Sequence, residues 1–98
     1  MNKYELMYIV DAHSSQTTKE DITKQIADTA AKSEVKVINS QLWLEKHKMS
    51  FPIKKIWEGA YYLLNLEAQS SAINKMQELL RLNEQVLRFL TIRQEVVR

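Results

Sequence analysis

The sequence predicts an α+β fold of order βαββαβ, a four-stranded antiparallel sheet with two helices on one face. Three observations carry this. Segments rich in aromatic and β-branched residues recur at 3–10, 35–46, 60–67 and 86–93, and read as strands. Between the first pair and between the last pair lie stretches whose apolar residues fall at helical spacing. The 98-residue chain holds one glycine and one proline, so few positions interrupt regular structure.

The first strand, Lys3 to Val10, sends Leu6, Tyr8 and Val10 to one face and Glu5, Met7 and Ile9 to the other. Polar residues 11–16 end it. Thr17 precedes Glu20 by three positions and Thr18 precedes Asp21 likewise, which is capping-box spacing. Ile22, Ile26, Ala27 and Ala30 continue at helical intervals, so a helix is expected from about Thr18 to Ser33, with Lys24, Asp28 and Lys32 on its solvated side. A second strand from Val35 to about Lys46 contains Val37, Ile38, Leu42, Trp43 and Leu44. Residues 46–55 are expected to form a long exposed basic loop around Pro52, with Trp43 and Trp57 anchoring its ends on the domain. Gly59 opens the third strand, Ala60 to Glu67. Tyr62, Leu64 and Leu66 share one of its faces, and Tyr61, Leu63, Asn65 and Glu67 share the other, less buried one. Ser70 or Ser71 is the expected cap of a second helix with the stripe Ile73, Met76, Leu79 and Leu80. Asn83 is the expected left-handed residue just past it. Val86 to Arg93 forms the last strand, whose mixed faces give no orientation.

The order is that of the ferredoxin-like plan, and right-handed crossovers put both helices on one side of the sheet. The core is then Leu6, Tyr8, Val10, Ile22, Ile26, Tyr62, Leu64, Leu66, Ile73, Met76 and Leu80. No element remains to cover the other face, which carries Met7, Ile9, Tyr61 and Leu63; an uncovered apolar patch of this kind points to a partner. With no linker, low-complexity stretch or shift in composition, residues 1–98 are expected to form a single domain.

Composition excludes several function classes. Cysteine is absent, so there is neither a disulfide framework nor a thiolate metal site. No apolar run approaches the roughly 20 residues of a membrane span, and the N-terminus lacks a signal-peptide pattern, so a soluble, cytoplasmic protein without membrane contact is expected. His13 and His47 are far apart in sequence, and no acidic residue is placed to orient either, so no catalytic or metal site is read. A single glycine leaves no phosphate cradle. The expectation is a non-enzymatic protein with no cofactor and no small-molecule substrate. The cations point elsewhere. Lys46, Lys48, Lys54 and Lys55, with His47, fall within ten residues, and Arg81, Arg88, Arg93 and Arg98 populate the C-terminal quarter. Clustered in this way they suit a polyanion such as RNA, although the net charge is only +2. A base-stacking sheet of the RNA-recognition type is less favoured, because its two third-strand ring positions hold Tyr61 and Leu63, and the first strand offers Met7 and Ile9. The fold alone would also permit a small-molecule or acyl-phosphate enzyme, a regulatory domain, or a module that buries its open face on a second copy.

Three segments carry a family resemblance: Tyr4-Glu5, Lys48-Met49-Ser50-Phe51-Pro52-Ile53, and Arg81-Leu82-Asn83-Glu84-Gln85-Val86-Leu87-Arg88. They resemble the bacterial small-subunit ribosomal protein S6 family, over essentially the whole chain. The middle segment is similar to that family's basic-Leu-Ala-Tyr-Pro-Ile block, and the last to its Arg-x-Asn-(Asp/Glu)-x-Val-x-Arg block. The resemblance implies a structural constituent of the small ribosomal subunit that binds the central domain of small-subunit (16S) ribosomal RNA as a heterodimer with ribosomal protein S18. It implies RNA contacts at Lys3, Lys46, His47, Lys48, Lys54, Arg81 and Arg88, with Phe51-Pro52-Ile53 shaping the loop. The open face, Met7, Ile9, Tyr61 and Leu63, is assigned to the protein partner. Two positions depart from the family pattern: Glu45 stands where a glycine precedes the basic pair, and His47 replaces an arginine, giving up a permanent charge. The last strand is followed only by residues up to Arg98, so the contacts of a longer tail are not expected.

Overall fold

A computed structural model describes residues 2–94; Arg98 lies outside the described residues. The elements are β1 (Asn2–Asp11), α1 (Gln16–Lys32), β2 (Lys36–Ile53), β3 (Ile56–Ala68), α2 (Ser70–Arg81) and β4 (Arg88–Gln94). Every paired strand is antiparallel, in the order β2-β3-β1-β4, and both helices pack on one face, as the ferredoxin-like plan requires.

Period-2 alternation puts Tyr4, Leu6, Tyr8 and Val10 of β1 and Leu64, Leu66 and Ala68 of β3 against Ile22, Ile26 and Ala30 of α1 and Ile73, Met76 and Leu80 of α2. Tyr62 borders this core half-buried, its ring stacked on that of Tyr8 across the register pair with centroids 5.1 Å apart and planes at 8°. Pairing also orients β4. Phe89 opposite Tyr8 packs on the core, so Leu90 opposite Met7 and Ile92 opposite Glu5 stand on the open face. The Tyr8 hydroxyl lies 3.3 Å from Thr23 Oγ1, and burial pushes its phenol above the ordinary tyrosine range.

Helix ends depart from expectation. α1 starts at Gln16 rather than Thr18, because Ser15 is the cap: its Oγ accepts the Thr18 N–H at 3.1 Å. Asp11 prepares that turn by accepting the His13 N–H at 2.9 Å. α1 ends in a Schellman motif, with Val35 N–H donating to Ala30 O and Glu34 N–H to Ala31 O. Glu34 takes the left-handed position there, at φ 62°. At α2 neither Ser70 nor Ser71 is the cap. That position is Gln69, which makes no side-chain capping bond, while Ser70 Oγ lies 3.1 Å from the Tyr4 hydroxyl. Nor is Asn83 left-handed; its Oδ1 accepts the Gln85 N–H at 3.1 Å and so shapes the turn by its side chain.

The largest correction concerns residues 46–55, which are not a loop. β2 continues to Ile53, β3 begins at Ile56, and Ile53 pairs with Ile56 across the two-residue turn Lys54-Lys55. Both lysines have positive φ, 50° and 67°, the pattern of a type I′ turn, whose usual occupants are Asn-Gly. Replacing Lys55 by glycine should therefore raise stability by about 0.5–1 kcal/mol, the left-handed strain relieved less the entropy cost of glycine; urea denaturation checks this, and an unchanged midpoint would refute it. Tyr8→Phe should cost about 0.5–1.5 kcal/mol at neutral pH for the lost hydrogen bond. Because the folded phenol titrates above the unfolded one, wild-type stability from Tyr8 is complete below pH ~10 and falls as pH rises past it. The deficit of the phenylalanine variant should therefore shrink in melts above that pH.

Candidate nucleic-acid interface

The β2–β3 arm is bent rather than flat. Register slips leave Trp43 as an extra residue between the Leu42–Tyr62 and Leu44–Tyr61 pairs, place Glu45 and Lys46 opposite Ala60, and set Met49, Ser50, Phe51 and Pro52 opposite Trp57. Each bulge adds bend and twist, and Pro52, which has no N–H to offer a ladder, sits where the ladder is already broken. The arm therefore turns over the open face and brings its tip to the α2–β4 connection, where Lys54 Nζ donates to the Glu84 carbonyl at 3.2 Å.

Folding the arm this way buries Met49 and with it Ile9, which is 3% exposed. Ile9 thus leaves the open face offered to a partner, because a methionine forty residues further along the chain covers it. The contact point is Gly59. A Cβ there would lie 2.6 Å from Ile9 Cγ2, 3.3 Å from Tyr61 Cε1 and 3.7 Å from Met49 Cε. Phe51 points outward and is 81% exposed.

Lys54 of the turn, Arg81 at the end of α2 and Arg88 at the start of β4 line one cleft of about 400 Å³, together with Leu80, Asn83, Glu84, Val86, Leu87 and Phe89. His47 and Arg88 line a second groove of similar volume, about 400 Å³, with Ile9, Met49, Ser50, Phe51, Pro52, Ile53 and Tyr61. Arg88 is common to both. The other expected cations are placed differently. Lys46 Nζ lies 3.7 Å from Glu58 Oε2, and Glu58 Oε1 lies 3.3 Å from His13 Nε2. Lys48 is exposed and directly opposite Glu58. Lys3 pairs with Glu67 and Gln94 at the far end of β1, six residues from the Ile9–Arg88 pair, or roughly 20 Å at 3.3 Å per residue. Glu45 acts away from the grooves: burial and then its negative charge push the Tyr62 phenol up, on the helix side of the sheet.

On the open face Met7, Tyr61 and Leu63 are partly exposed, and Leu90 and Ile92 are about half exposed beside them. These two were missed because β4 had no readable orientation; assigning Phe89 to the core would have found them. Trp43 and Trp57, expected to anchor the ends of a loop on the domain, are half exposed. Trp43 instead meets the Tyr61 ring edge-on, with centroids 6.2 Å apart, and His47 meets it from 5.4 Å at 89°. Three rings therefore gather where the sequence promised one. Among the described residues no group of three His, Cys, Asp or Glu could hold a metal ion, and no helix is long and apolar enough to cross a membrane.

Gly59→Ala should destabilise the protein by about 1–3 kcal/mol, the cost of overpacking, because the atom in the way is a branched methyl close to the β1 backbone. Chemical denaturation together with the methyl NMR shifts of Ile9 and Met49 checks this; unchanged stability would show that the close approach constrains nothing.

The same architecture occurs in the crystal structure of 30S ribosomal protein S6 from Thermotoga maritima. That structure matches with a TM-score of 0.84 at 18% sequence identity, covering 95% of this chain and 87% of that one. At that identity the likeness speaks for the fold. The family model for ribosomal protein S6 matches residues 3–93 and so reaches from β1 into β4, through both the Lys48–Ile53 and Arg81–Arg88 segments. With nearly the whole chain matched, it belongs to the ribosomal protein S6 family, whose role in the ribosome is structural.

Proposed function

We propose that this protein is a cytoplasmic, non-enzymatic constituent of the small ribosomal subunit that binds the central domain of 16S ribosomal RNA together with ribosomal protein S18. The observation that carries the RNA reading is the cleft shared by Lys54, Arg81 and Arg88, which are separated in sequence and brought together by the bent arm. Such a cleft suits a phosphate backbone. Each guanidinium can grip a phosphate with two parallel N–H donors. The Lys54 ammonium gives one donor to the Glu84 carbonyl and keeps others free. His47 adds a hydrogen-bonding ring along the arm, and Lys46 and Lys48 flank its base, Lys46 with its charge partly offset by Glu58. Lys3, at the opposite end, would meet a separate stretch of RNA. Because these contacts are made mainly to the backbone, RNA shape rather than base sequence would set the register. The protein partner would cover the open face through Met7, Tyr61 and Leu63, joined by Leu90 and Ile92 in place of the buried Ile9.

The test is a titration of a central-domain RNA fragment with this protein, with and without S18, at several salt concentrations. Binding should appear mainly with S18 and fall steeply between about 50 and 200 mM salt. Removing Lys54, Arg81 or Arg88 singly should lower the salt slope by about one each, and Lys3→Ala should act independently of them. Absence of binding by folded protein at low salt with S18 present would sink the reading.

A further inference from the structure

Arg88 borders both the cationic cleft and the groove beneath the arm. An RNA strand held by its phosphates at Lys54 and Arg81 would therefore pass the mouth of that groove. We propose that the groove receives one unpaired RNA base, with Phe51 as its stacking platform; this rests on the RNA reading above and adds to it a residue that reads a base rather than a phosphate.

The groove is built for a flat, partly polar guest. Its floor is apolar, formed by Ile9 and Met49, and one wall is Phe51 with Pro52. Proline fixes its own backbone torsion and restricts that of Phe51 before it, so the backbone that carries the platform is held in an extended form. Tyr61 also lines it, with the His47 and Trp43 rings both roughly perpendicular to its own. Arg88, His47 and Ser50 also line it, and their side chains can between them donate and accept hydrogen bonds at the edge of a base. Among the described residues no acidic side chain lines the groove, and its volume of about 400 Å³ lies within the range of small-ligand sites.

An apolar side chain from a protein would use the floor and leave these polar groups without partners. Its natural place is the centre of the sheet, among Met7, Leu63, Leu90 and Ile92. A paired A-form helix does not present its bases to such a slot, so the guest is a bulged or looped nucleotide. Phe51 itself is 81% exposed on an arm that also carries Lys48, Lys54 and Lys55.

The experiment compares two RNAs of equal length taken from the same central-domain fragment, one with its unpaired nucleotides and one fully paired, each bound by the protein with S18. Loss of stacking in Phe51→Ala should weaken binding to the first by about 5- to 150-fold and leave the second unchanged, and Phe51→Tyr should restore affinity. A 2-aminopurine at the unpaired position should be quenched by wild-type protein and not by Phe51→Ala. Equal affinity of wild type and Phe51→Ala for the first RNA, or full restoration by Phe51→Leu, would overturn the base-stacking assignment. So would weaker binding of S18 by Phe51→Ala in the absence of RNA, which would make the groove a protein site. In those cases Lys54→Ala still weakens both RNAs if the phosphate cleft is real; failure of wild-type protein to bind either RNA would overturn both readings together.

Discussion

At Gly59, where β3 pairs with the end of β1, a Cβ would stand 2.6 Å from Ile9 Cγ2, and the shape of the arm's surface depends on that missing atom. The bare backbone lets Ile9, Met49 and Tyr61 close over one another, and the bulged arm can then lie across the end of the sheet instead of projecting into solvent. Three consequences share this cause. Ile9 is withdrawn from the open face, the Lys54 turn reaches the Glu84 carbonyl, and Phe51 is turned outward over a groove with an apolar floor.

The arm is held in this shape at some cost. Its turn places two lysines in the left-handed region, where Asn-Gly would sit with less strain. The strain is worth tolerating only if the two charges matter at that point in space, and Lys54 is indeed the arm's contribution to the cationic cleft. Sparsely populated backbone conformations cluster at binding sites, which supports the proposed reading of the cleft.

Charge and apolar surface are sorted by position. Arg88, Arg81 and Lys54 gather at the edge where β4 begins, and Glu58 answers Lys46 and His13 at the base of the arm. The middle of the open face is left to Met7, Leu63, Leu90 and Ile92, and its far end is closed by polar pairs such as Gln94 Nε2 donating to Glu5 Oε1 at 2.6 Å. In the proposed reading an RNA and a protein would occupy adjacent surfaces of a small molecule, meeting at Tyr61, which borders both.

What the sequence determined by itself was everything that repeats locally. Leu6, Tyr8 and Val10 at period 2, and Ile22, Ile26, Ile73, Met76 and Leu80 at helical spacing, name the core because burial follows the pitch of each element. The Lys48–Ile53 and Arg81–Arg88 segments were equally legible as family motifs. The tertiary structure alone decided what depends on residues distant in the chain. Bulges break alternation, so a bent strand containing Pro52 reads as a loop until its pairing with β3 is seen. Ile9 reads as exposed until Met49 covers it, and β4 has no orientation until Phe89 meets Tyr8. Local spacing sets which way a side chain points, whereas its cover, and the meeting of Lys54 with Arg81 and Arg88, comes from contacts between elements that no short window of sequence contains.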